Sequence, residues 1–496
     1  NTAVGNHALG ANVSGVYNVA VGGEALEANT GGNNTGVGHR ALEANTTGGN
    51  NSALGVSALK VNTVGQYNVA VGGYALDANT TASNNTAVGY DALGANTTGA
   101  ANVAVGKDAL LANTTANSNT AVGTDALTAN TTGAQNTAIG HDALGANTTA
   151  SENTAVGYAA LTANTTGASN TAIGHQSMDT NTTGLQNTAI GNVSLYANTT
   201  GSRNTALGRG ALTANTTAND NVAVGFFALT ANTTGKHNVG VGASALDNNT
   251  TADENTAIGY RSLFNTNSGG SGGYSNTAVG SNSLYALTTG VQHVAVGVNA
   301  LDACTTGNNN TAVGYEALTA QTTGSNATAL GWKALTANTT GNNTAVGSQA
   351  LFTVTTGNNN TAMGIGALQV STADNNTAFG HVALYANTTG TSNVAVGGFC
   401  LDSNTTGSYN TAIGYAALNT NTTANDNTAV GNGALSVNST GASNTAVGSA
   451  ALDANSTGGS NTALGVNALG ANTTASYNTA VGSGALAVNT TGANNT

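Results

Sequence analysis

The chain has 496 residues, a net charge of -12, 69 glycines and no proline, with only 6% charged and 4% aromatic side chains. Its 8 lysines and arginines cannot form the basic stripe that neutralises phosphates, which argues against a nucleic-acid partner. No apolar run reaches membrane-spanning length, and a low charge with regularly spaced apolar residues points to a repeat fold rather than disorder.

From Asn1 onward the chain repeats one phrase, N-T-A-V-G-x-x-A-L-x-A-N-T-T-G-x-x, which restarts at residues 18, 34, 51, 68 and 85 and so on to 478. Nearly every repeat has 17 residues; those starting at 18, 327 and 360 have 16. The one starting at Asn255 has 21, with an insertion in FNTNSGGSGGYS at 264–275. Residues 1–496 are read as a single continuous array of about 29 coils. Because it opens and closes in mid-phrase, it is expected to be an excerpt of a longer protein.

In the repeat at 85–101, position 5 is Gly89, and glycine stands there in every repeat. Position 9 is Leu93, replaced once by Met178. Position 4 is Val88 and always apolar. Position 3 is Ala87, replaced only by Gly36 and Gly240. Position 1 is Asn85, replaced by His293 and Ala327.

Seventeen residues are too few for a helical-hairpin repeat, and Gly89 with Asn96-Thr97-Thr98-Gly99 opposes a helix. Two short strands per repeat fit better, Thr86–Val88 and Ala92–Ala95. Asn85, Gly89, Asn96 and Gly99 turn the chain and form ladders, since Gly and Asn accept turn conformations. Each repeat then becomes one coil of an all-β solenoid. Coils stacked about 4.8 Å apart make a rod of roughly 140 Å.

Strand alternation separates Ala87 from Thr86 and Val88. With Val88 and Leu93 taken as rungs of the inner apolar ladders, Ala87 points outward. A position that admits only Ala or Gly is crowded, so Ala87, Ala104 and Ala121 are expected to touch another chain. A thin coil is also short of buried surface. The expected partner is the chain itself, in a homo-oligomer of side-by-side solenoids.

The tandem NTAVG and NTAIG phrases, each followed by ALxANTTG, resemble the head repeats of trimeric autotransporter adhesins and the repeats of phage tail-fibre proteins. The resemblance runs the whole length and rests on Asn85, Thr86, Ala87, Val88, Gly89 and their equivalents. It implies a left-handed parallel β-roll, three chains around one axis, and a place outside the cell, on a cell surface or a virion. The repeat here is longer than the adhesin head repeat and richer in threonine.

No residues are marked out for chemistry. His39, His141, His175 and His381 all occupy position 6, a turn, and none lies in adjacent coils. They read as solvated turn residues rather than a metal site, and the carboxylates scatter without a repeated pair. Neither a Ser-His-Asp order nor a nucleophile elbow is present, so the chain is expected to be no enzyme and to hold no cofactor. Asn-Thr-Thr matches the glycosylation sequon but reads better as a corner ladder. Cys304 and Cys400 lie too far apart in any stacked coil for a disulfide. Tyr90, Tyr260 and Trp332 are the candidate surface contacts, among other aromatics at position 6.

The expected function is a structural fibre segment that spans distance and supports multivalent attachment, with a host-cell glycan or protein as possible partner. Two alternatives are an ice-binding solenoid and an end-to-end filament. Against ice, Thr97 and Thr98 are adjacent, so alternation aims them apart and leaves no two-rank Thr-x-Thr face.

Overall fold

The computed structural model describes residues 1–266 and 273–496. It is a parallel β-solenoid without a helix among the described residues. The chain divides into two compact units, Asn1–Thr251 and Ala252–Thr496. The first carries the strands from Thr2–Val4 to Val239–Val241, the second those from Thr256–Ile258 to Thr479–Val481. Within each unit successive strands pair in parallel and in register, so that Thr86, Ala87 and Val88 lie against Val103, Ala104 and Val105. The central part of the insertion expected at 264–275 lies outside the described residues.

Among the described residues each coil has one strand of three residues instead of two strands. The segment expected as a second strand, Ala92–Ala95, is a run of turns. Asp91 and Leu93 both sit in left-handed backbone, with φ of 55° and 54°. The N–H of Gly94 donates to Asp91 O and that of Asn96 to Leu93 O, closing two turns in succession. The segment still bonds between coils: Leu93 N–H donates to Ala109 O and Ala95 N–H to Leu111 O, both at 3.0 Å. A left-handed leucine costs about 1–2 kcal/mol. Full burial of its side chain contributes about 1.5–3 kcal/mol, and Leu93 is wholly buried, so burial outweighs the strain.

The faces of the strand are opposite to expectation. Ala87, Ala104 and Ala121 are completely buried within their own chain, while Thr86 and Val88 are half-exposed. These alanines are therefore not inter-chain contacts, and Val88 is not a rung of the inner ladder. The physical cause is the narrow bore of the coil. At the two positions where glycine replaces the alanine, an added Cβ would come within 3.3 Å of the Leu26 side chain (at Gly36) or the Leu229 side chain (at Gly240). The leucine of the preceding coil already fills the space, and only Ala or Gly fits beneath it. The crowding read from position 3 is real, but it comes from inside.

Gly89 has a different constraint. Its φ is +142°, and a Cβ there would overlap the carbonyl oxygen of Gly106 in the next coil. Glycine is required both by the backbone and by the close stacking.

Candidate functional site

The interior of a coil is half polar. Asn85 and Asn96 are both completely buried, and their amides form two ladders joined through one carbonyl. Asn85 Nδ2 and Asn96 Nδ2 each donate to Gly99 O at 2.9 Å. Asn85 Oδ1 accepts from the backbone N–H of Asn102 at 2.9 Å, and Asn96 Oδ1 accepts from Asn113 Nδ2 at 2.8 Å. On the surface, Thr97 Oγ1 donates to Thr114 O at 3.0 Å. Asn85, Gly89, Asn96 and Gly99 thus stand at the turns and ladders. Burial of these two amides is offset because the neighbouring coils supply their partners.

Position 12, occupied by Asn96 in the reference coil, is Asn in every coil from Asn12 to Asn249 and again from Asn387 to Asn489. Between them the ladder is interrupted by Thr266, Leu287, Cys304, Gln321, Val354 and Ser371, all buried. Both exceptions at position 1, His293 and Ala327, fall in the same stretch. So does the insertion.

His293 reproduces the hydrogen bonds of the asparagine it replaces. Its Nδ1 accepts from Asn310 N–H at 3.2 Å and its Nε2 donates to Gly307 O at 2.7 Å. These partners fix the neutral ring with the proton on Nε2, and burial holds the pKa below its ordinary value. Cys304 Sγ lies 3.9 Å from that Nε2, yet burial pushes its thiol up to about 11. Burial likewise pushes Cys400 up to about 12, and its Sγ donates to Ala412 O at 3.0 Å. Both are unpaired, protonated, buried thiols, unlike an activated nucleophile.

On the outside of this stretch lies a cavity of about 170 Å³, lined by Arg261, Asn282, Tyr285 and Asp302. Arg261 and Asn282 occupy position 7 of successive coils; Tyr285 and Asp302 occupy position 10. The Arg261 guanidinium lies 5.2 Å from the Tyr260 ring centre and 5.4 Å from that of Phe264. Phe264 in turn stacks on Tyr285, with centroids 5.3 Å apart and planes inclined by 11°. Asp302 Oδ1 is buried without a hydrogen-bond partner. Burial raises the Asp302 carboxyl to about 6, and the nearby Glu316 adds to this.

The three candidate contact residues are exposed but not brought together. Tyr90 packs edge-on to Tyr74 at 5.8 Å, Tyr260 lies under Arg261, and Lys333 Nζ sits 5.0 Å from the Trp332 ring centre. Of the three, only Tyr260 borders the cavity residues. The cavity was hidden in the sequence because its walls come from three coils. The signal that could have found it is the clustering of departures from the repeat between 255 and 375.

Asp91, Asp108, Asp125 and Asp142 occupy position 7 in four successive coils, a carboxylate run that the expected scatter overlooked. Ligand atoms of Asp125, His141 and Asp142 lie within 4.8 Å of one another. His141 Nδ1 is 2.9 Å from Asp142, and Tyr158 stacks between His141 and His175. This exposed group could hold a cation. A second cluster is Glu24, Glu27 and Glu43, where Arg40 Nε lies 2.7 Å from Glu24 and 3.8 Å from Glu43. Among the described residues no helix is long and apolar enough to cross a membrane. Compared with known proteins, the chain matches no family model and no curated sequence.

Proposed function

We propose that the chain is a structural segment of an extracellular fibre, of the kind found on a cell surface or a virion, that spans distance and supports multivalent attachment. The observation that carries this reading is the in-register stacking of one coil on the next. Through most of the chain the inner hydrogen bonds of a coil are repeated by its neighbours, so added repeats extend the structure without any new design. The resemblance to trimeric adhesin and tail-fibre repeats supports it and suggests three chains.

The face for association is the outward one of the strands. The ranks through Thr86 and Val88 hold only Thr, Val or Ser at position 2 and Val, Ile, Leu, Met or Phe at position 4, with no charged side chain. Such a long uncharged, half-exposed apolar rank is what a neighbouring chain covers. Sedimentation and negative-stain microscopy of the purified chain test the proposal. Discrete rods two or more chains wide support it, and a folded monomer at all concentrations overturns the association.

One observation favours the ice-binding alternative. Outward Thr and Val ranks form the two-rank face that Thr97 and Thr98 do not, repeating about every 4.8 Å. Leu54, Leu207, Met363 and Phe379 roughen it, which weighs for association. Absence of thermal hysteresis in folded material removes this alternative.

A further inference from the structure

We propose that the cavity bounded by Arg261, Asn282, Tyr285 and Asp302 is a carbohydrate site that takes one pyranose ring of a glycan. The proposal deepens the attachment role given above and rests on it.

The walls determine the class of ligand. Drug-sized ligands need pockets of about 300–1,000 Å³, and a space of about 170 Å³ suits a single small ring. Arg261 offers only donors, Asp302 only acceptors when ionised, and Asn282 both. A cationic ligand would meet the guanidinium and an anionic one the carboxylate, whereas a neutral polyol satisfies both. Each sugar hydroxyl donates and accepts, and the C–H face of a pyranose suits an aromatic wall such as Tyr285.

The walls are also held in place before any ligand arrives. Tyr260 and Phe264 flank the guanidinium, and Phe264 and Tyr285 brace one another. The Asp302 carboxylate stands half-buried in the cavity wall and offers an acceptor to a sugar hydroxyl. Finally, the cavity lies where the repeat is most altered, beside the insertion and the interrupted asparagine ladder.

Saturation-transfer NMR on the full chain, with free glucose, galactose, mannose and N-acetylglucosamine as probes, tests the site. At least one sugar is expected to bind, and Arg261→Gln and Asp302→Asn should each weaken it roughly tenfold or more, as loss of a charged hydrogen bond does. Tyr285→Ala, at a half-buried surface position, gives a third reading should either polar variant unfold. Circular dichroism checks the fold of all three. Tyr409→Ala, exposed and outside the cavity, should leave binding unchanged. Binding by none of the four sugars, or binding unaltered in the folded variants, overturns the proposal. Since assembly is read separately by sedimentation, a fibre that binds no sugar defeats the site alone.

Discussion

At the residue scale, position 3 shows how the same restriction can have two causes. Ala87 is confined to a small side chain by the leucine behind it, not by a neighbouring chain. Ala87→Val should therefore destabilise the chain by about 1–3 kcal/mol through overpacking, lowering the thermal midpoint. Were the alanine at an interface, the same change would weaken association and leave the melt alone. His293 gives a second residue-scale prediction. Its ordinary pKa is 6.5 and the folded value lies lower, so between the two the unfolded chain binds a proton that the native chain does not. Stability is full above pH 6.5 and falls as the pH drops below it. The groups facing the ring are Gly307 O, Asn310 N–H and the protonated Cys304. In urea melts at descending pH, His293→Asn should keep its midpoint further into the acid range than the parent does. Identical pH profiles would refute the assignment of the neutral ring.

At the scale of the element, a coil is held by its buried amides as much as by apolar contact. Asn96 donates to both Asn79 Oδ1 and Gly99 O and accepts from Asn113. Asn96→Ala leaves the Asn113 amide without that acceptor, at about 1–3 kcal/mol. Loss of urea midpoint should exceed that of Thr98→Ala, an exposed neighbour. Comparable losses would show that the ladder contributes little. Natural interruptions such as Leu287 and Val354 replace the amide by an apolar side chain. That removes donor and acceptor together, which the chain tolerates where adjacent coils change as well.

At the scale of the whole molecule, the inward alanines leave the chain with a surface question. The valines and isoleucines that a thicker solenoid would bury stand half-exposed in ranks. Replacing Val88, Val105 and Val122 together by Asp should dissociate the assembly while circular dichroism still shows a folded chain. Sedimentation reads the mass directly, and an unchanged mass would place the interface elsewhere.

The repeat length, the parallel stacking, the obligatory glycine and the two asparagine corners were all legible in the sequence. Each follows from a strict period acting on residues with narrow backbone or hydrogen-bonding demands. Leu93 was legible as core because its position admits almost nothing else. What only the tertiary structure decided was direction. Alternation says that Ala87 and Val88 point to opposite sides, but not which side is in. The bore of the coil settles that, and it depends on Leu93 lying in left-handed backbone, which no local pattern announces. The cavity at Arg261 and Asp302 was hidden for a related reason. Its walls are distant along the chain and adjacent only because each coil rises by a single strand spacing.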